Sequence, residues 1–216
     1  MADSAWIAQL VEHGLVRPSF VPPPQIRQLR DFSRHRRVLC EERTRMVQRL
    51  EKVLQDAGIK LTSVASTVLS KSGRAMLEAM LAGQTDPVAL AELAKGRMRS
   101  KIPQLVDALC GNFRLDHHGV LVAQILAQVD FLDRQLADID EHITALVADL
   151  EPIIERVQTI PGVARKCAIG MIAEIGVDMT VFPTAAHLAS WAGICPGNNA
   201  SGVRPAVDTL VGGRSR

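Results

Sequence analysis

The sequence predicts a mainly α fold, with a long coiled-coil-like helical stalk and a small C-terminal helical domain of helix-hairpin-helix type. Three observations lead there. Val122, Ile125, Val129, Leu132, Leu136, Ile139, Ile143, Leu146 and Leu150 alternate steps of three and four, which is a heptad seam. The stretch from Gln25 to Ala57 holds neither proline nor glycine and stops at Gly58. No segment of the chain has a convincing strand period of two.

Each element follows in order. Residues 4–15 form a short helix with Ile7, Leu10 and Val11 on one side, ended by Gly14. Pro22-Pro23-Pro24 cannot continue a helix but can open one. In the helix that follows, Arg27, Arg30, Arg34, Arg37, Arg45, Arg49 and Lys52 line one side, with Glu41 filling the one gap. Nine basic and four acidic residues lie between Arg27 and Lys52, a local excess of five. Such a row is either a solvated face or a rail that contacts phosphates. Residues 62–110 read as several short helices broken at Ser72-Gly73, Ala82-Gly83-Gln84, Asp86-Pro87 and Gly96. Asp86 is a predicted N-cap, with Pro87 in the first helical position. Asp116-His117-His118 invites a metal reading. Adjacent side chains diverge on a helix and no third ligand follows at i+4, so a helix-start role is expected.

The seam helix over 122–150 must bury its apolar stripe. Its expected partner is the Gln25–Ala57 helix of the same chain, antiparallel, with a second subunit as the other choice. After Glu151-Pro152 comes a helix, a Pro161-Gly162 turn and another helix. Such a turn aims backbone N–H groups at a phosphate, and Gly162, Val163, Ala164, Arg165 and Lys166 are the expected contacts. Ala164 stands where such hairpins commonly have a second glycine. Asp178 and Thr184 are predicted caps, and Trp191 is expected in a core. The loop CPGNNASGVRP then presents Ser201, either on a plain surface turn or as a group placed to react.

Bulk properties set outer limits. The 216 residues suffice for one large or two small domains, and a 47% hydrophobic content permits a true core. Tyrosine is absent and aromatics make up 3%, which argues against a base-stacking surface. Cys40, Cys110, Cys167 and Cys195 form no CxxC pair, as expected of free thiols in a reducing compartment. No 18-residue window is apolar and uncharged, and the N-terminus lacks a signal-peptide core. A cytoplasmic protein with no membrane partner is expected.

The run TIPGVARKCAIGMIAEIGVDMTVFPTAAHLASWAGICPGNNASG resembles the C-terminal domain of insertion-sequence-110 type transposases and their 116 and 902 relatives. HGLVRPSFVPPPQIRQLRDFSRHRRVL, EERTRMVQRLEKVLQDAGIKL, KIPQL and FLDRQLADID extend the resemblance across residues 3–202. It implies DNA transposition by a resolvase-like domain with four carboxylates that hold Mg²⁺, a coiled coil, and a nucleophilic serine. It further implies DNA and a structured guide RNA as partners. Ser201 matches the serine, and Asp3 matches the last carboxylate, whose three partners would lie upstream of Met1. The expected organisation is a remnant of the carboxylate domain over 1–20, a helical region over 21–150 and the C-terminal domain over 151–202. A disordered tail over 203–216 replaces the family's basic extension. Arg30, Arg34, Arg37 and Arg45 join the hairpin as expected DNA contacts, and Asp3 alone makes an incomplete metal site with no Mg²⁺ of its own. Two alternatives stand beside a retained serine chemistry. One is a non-catalytic remnant that binds nucleic acid or pairs with itself or a full-length transposase; the other is an inert pseudogene product.

Overall fold

The computed structural model describes residues 2–15 and 21–193, and among these it is helical without a strand. They fall into two compact units, Pro22–Ile175 and the flanking stretches on either side of it. None of the described helices is long and apolar enough to cross a membrane.

In the flanking unit, α1 spans Ala2–Glu12 and Gly14 follows it at φ +66°. Its Trp6, Ile7 and Val11 are exposed. The larger unit starts with α2 (Pro24–Asp56), 33 residues or about 50 Å long, with proline in its first turn. It buries Ile26, Leu29, Leu39, Met46, Leu50 and Leu54. Next come α3 (Lys71–Leu81), α4 (Pro87–Ala91) and α5 (Ile102–Leu109). Asp86 caps α4 as expected, accepting from the Val88 and Ala89 N–H groups. Ser72-Gly73 does not break the chain: it lies in the first turn of α3, capped by Ser70. Glycine is needed there because a Cβ on Gly73 would sit 2.2 Å from the Val68 carbonyl oxygen.

The seam helix α6 (Val120–Leu146) packs on α2 of the same chain. Four contacts fix the direction: Gln25 to Leu146, Arg36 to Asp140, Arg43 to Asp133, and Asp56 to His118. Numbers rise along one helix as they fall along the other, so the pair is antiparallel. Val122, Ile125, Val129, Leu132 and Ile143 are buried as the heptad predicts. The seam stops four residues short of Leu150, because Pro152 has no N–H to give the carbonyl four residues back and instead stands in the first turn of a new helix. A 3₁₀ turn over Ala148–Leu150 intervenes, and Val147 is buried in place of Leu146.

Two apolar clusters occupy the two ends of the α2–α6 pair. The far one joins Leu50, Leu54 and Val122 to Leu77 and Leu105 of α3 and α5. The near one joins Ile26, Leu29 and Ile143 to helices α7 (Glu151–Gln158) and α8 (Arg165–Ile175), through Ile154, Ile169 and Ile172. Beyond Ile175, the flanking unit contains α9 (Ala185–Trp191). Asp178 accepts from the Thr180 N–H and Thr184 from the His187 N–H, both as capping residues. Trp191 is not core: it is 46% exposed, with its ring edge-on to Phe182. A helix of seven residues with no buried residue offers it no apolar pocket.

Candidate nucleic-acid interface

The hairpin is built by α7, the turn over 159–164, and α8. Gly162 takes φ +86°, which favours glycine, and open space surrounds its Cβ position. The Val163 N–H donates to the Ile160 carbonyl, closing the turn at 3.0 Å. Val163 turns inward onto the near cluster, while Gly162 and Ala164 stay exposed. The turn therefore stands open beside the N-terminus of an eleven-residue helix. The two cations that open α8 do not point away from the protein. Arg165 donates to Glu151 in the first turn of α7, and Lys166 Nζ reaches Asp140 Oδ2 on α6 at 3.0 Å.

Those contacts draw three helices around one groove. Its volume is about 420 Å³, and Arg36, Arg37, Cys40, Asp140, Arg165 and Lys166 line it. Asp140 is the acid among them. It receives Arg36 in a two-pronged pair at 2.5 and 3.2 Å as well as Lys166. Hydrogen bonding from Arg36 holds the Asp140 carboxyl below the usual carboxylate range, against partial burial, and Lys166 adds to the effect. Four cations line the groove against one acid in its wall, while Glu151 and Glu41, outside the lining, meet Arg165 and Arg37.

Of the rail residues expected from the sequence, the fold brings Arg37 to this groove with Arg165 and Lys166. Arg45 lies about two turns along α2 from Arg37, beside a shallower hollow that Arg37 also lines. Arg30 and Arg34 have another task. Arg30 donates to the Ala173 and Glu174 carbonyls at 3.0 and 2.8 Å, covering the last turn of α8. Arg34 grips the Glu174 carboxylate with two bonds of 2.9 and 2.8 Å. That pairing keeps the Glu174 carboxyl below its ordinary range. Arg30 and Arg34 thus hold α8 in place rather than lining the groove. The sequence reading passed over Arg36 and Asp140. Both are charges flanking the apolar seams, where helix pairs exchange salt bridges, and that was the available signal.

The expected metal and nucleophile positions lie elsewhere. Asp3 is exposed in the first turn of α1, where a carboxylate suits the helix dipole. It joins no group of three metal-ligating side chains among the described residues. Ser201 lies outside the described residues. The fold does supply a third residue to the histidine pair. Asp56 of α2 comes together with His117 and His118, their ligand atoms within 4.8 Å of one another. His118 is buried, and its Nδ1 accepts the Arg114 N–H at 3.0 Å. Its Nε2 therefore carries the proton and donates to Asp56 at 3.1 Å, leaving no ring lone pair for a metal. The trio ties the end of α2 to the π-helical turn Leu115–Gly119.

Residues 154–209, which include the hairpin and α8, match the family described as Transposase IS116/IS110/IS902. Residues 1–59, which include α2, match a second transposase family, the DEDD type of IS110. The chain belongs to the IS110-type transposases. The two matches contribute different walls of the groove, α2 from one and α8 from the other. The chain is 31% identical over 131 residues to the "Insertion element IS110 uncharacterized 43.6 kDa protein" of Streptomyces coelicolor. That alignment covers 54% of this chain and 32% of the relative, so the transposase chain described here spans about a third of the curated relative it matches. No solved structure matches it significantly.

Proposed function

We propose that this chain binds the phosphate backbone of DNA as part of an IS110-type transposition system, through the α2–α6–α8 groove and the adjacent hairpin turn. The observation that carries this reading is the gathering of Arg36 and Arg37 of α2 with Arg165 and Lys166 of α8 along one groove, where Arg36 and Lys166 meet Asp140 and Arg165 meets Glu151. A phosphate can take the place of Asp140 as the acceptor for Arg36 and Lys166. Next to them, the Gly162 turn leaves backbone free to approach at the positive end of α8. Family membership supports DNA as the substrate, with a structured guide RNA and a second transposase subunit as further partners.

In this reading Ser201 is the nucleophile. Its hydroxyl oxygen attacks a DNA phosphodiester, forming a serine–phosphate ester and freeing a strand end with its own hydroxyl. A hydroxyl from another strand reverses the exchange. Serine alone is a weak nucleophile at neutral pH, so it needs a base and charge neutralisation at the phosphate. In the family Mg²⁺ supplies that neutralisation. The residues described here do not fit such a site: Asp3 is one exposed carboxylate, short of the octahedral set Mg²⁺ demands. No step is assigned to Asp3. That mismatch favours a second reading for the chain acting alone, a DNA-binding and pairing module without strand cleavage.

The test is DNA binding across 50–200 mM salt, comparing the chain with Arg36→Ala/Arg165→Ala. The expected result is a log–log salt slope shallower by about 1.8, from two lost phosphate contacts. A slope unchanged in a folded variant overturns the groove assignment.

A further inference from the structure

We propose a second DNA-contacting surface at the far end of the stalk, formed by the segment Lys95-Gly-Arg-Met-Arg-Ser-Lys101 with Lys71 beside it. It lies outside the groove, and it rests on the reading that this chain binds DNA.

The segment holds four cations in seven residues, all exposed. Its nearest acid in the chain is Glu92, which meets Arg99 at 3.7 Å. Lys95, Arg97 and Lys71 have no ion-pair partner among the described residues. This is the reverse of the groove, where Arg36, Arg165 and Lys166 are each held by a carboxylate. A cation already paired must give up its acid to bind a phosphate, whereas an unpaired one only sheds water and counterions.

The charges are also fixed in place. Residues Gly96–Lys101 form a 3₁₀ helix. The Lys95 N–H donates to the buried Ser72 hydroxyl at 2.9 Å, which ties the start of the segment to the residue after Lys71. Met98 and Ile102 pack on the far cluster, so the charged side chains face out. Lys101 Nζ donates to the Val64 carbonyl at 3.1 Å and steadies the end of the segment. A preordered patch loses little chain entropy when it binds. The segment has no aromatic residue on which a base could stack, so it suits a duplex backbone rather than exposed bases.

Its place in the fold gives a length rule. The patch belongs to the helices that close over the Ala57 end of α2, where the Lys60 N–H meets the Ala108 carbonyl. Its Lys71 side lies nearer the groove, since Arg74 pairs with Asp130 of α6, ten residues from Asp140, about 15 Å at 1.5 Å per residue. A duplex of more than roughly five base pairs, at 3.4 Å each, spans that distance.

The experiment titrates the full chain with duplexes of roughly 8 and 24 base pairs and a 24-pair RNA hairpin, over 50–200 mM salt. The variants are Lys95→Gln/Arg97→Gln, Arg97→Lys and Arg36→Ala/Arg165→Ala, each checked for helical content. Lys95→Gln/Arg97→Gln is expected to weaken the long duplex roughly tenfold and lower its salt slope by about 1.8. Arg97→Lys should keep the slope. Loss of slope only in Arg36→Ala/Arg165→Ala overturns the patch and leaves the groove standing. Loss only in Lys95→Gln/Arg97→Gln keeps the patch and sinks the groove. Wild-type chain that binds no duplex overturns both, and an RNA hairpin bound more tightly than DNA, with the same loss, overturns the assignment to DNA.

Discussion

At the residue scale, the acids of the larger unit decide what its cations do. Asp140, Glu151 and Glu174 each hold an arginine, and in each case that hydrogen bond depresses the carboxyl pKa. A carboxylate whose pKa falls on folding stabilises the protein above its ordinary value, 3.8 for Asp and 4.5 for Glu. That contribution fades as pH drops through the lower folded values. Stability measured by urea denaturation is therefore expected to be flat from pH 7 to about 5 and to fall below pH 4, less steeply in Glu174→Gln. Asp140 is more than a third exposed, so Asp140→Asn should cost no more than about 1 kcal/mol. The same change frees Arg36 and Lys166. In the salt series it should tighten DNA binding, because the phosphate no longer competes with a carboxylate, the opposite of an arginine removal. Residue identity alone marked the arginines; which acid each one meets was not legible, since partners such as Arg34 and Glu174 lie 140 positions apart.

At the element scale, the two apolar clusters make the stalk a two-ended device. Leu29 and Leu54 are both fully buried on α2, one in each cluster, about 37 Å apart along the helix. Leu29→Ala and Leu54→Ala should each cost about 2–5 kcal/mol, and the double variant should equal their sum to within roughly 0.5 kcal/mol in denaturant melts. Leu29→Ala acts on the seat of α7 and α8, so it should weaken the share of DNA binding that Arg36→Ala/Arg165→Ala removes, which Leu54→Ala, in the far cluster, leaves in place. Helix boundaries were largely legible, because caps are local: Gly58, Asp86, Asp178 and Thr184 stand where the sequence placed them. The end of α6 was misplaced because the apolar heptad runs on paper to Leu150, whereas Pro152 cannot donate to a continued helix and opens a new one.

At the scale of the whole molecule, the chain folds back on itself where α2 ends. Gly111 passes so close that an added Cβ would lie 2.3 Å from the Ala57 carbonyl oxygen, beside the Asn112 N–H bond to that same oxygen. Gly111→Ala should therefore destabilise the larger unit by about 1–3 kcal/mol, read as a lower midpoint at unchanged slope in urea. Family membership, the helical class and the seam were determined by the sequence by itself, because periodicity and caps act within a few residues and the family blocks are continuous runs. Tertiary structure alone decided which helix the seam meets and that Arg30 and Arg34 clamp α8 instead of facing a ligand. It also decided that Arg36 joins Arg165 and Lys166 around Asp140. The reason is physical: a charge is committed by whichever opposite charge comes within hydrogen-bond reach, and that distance exists only once helices far apart in the chain have packed.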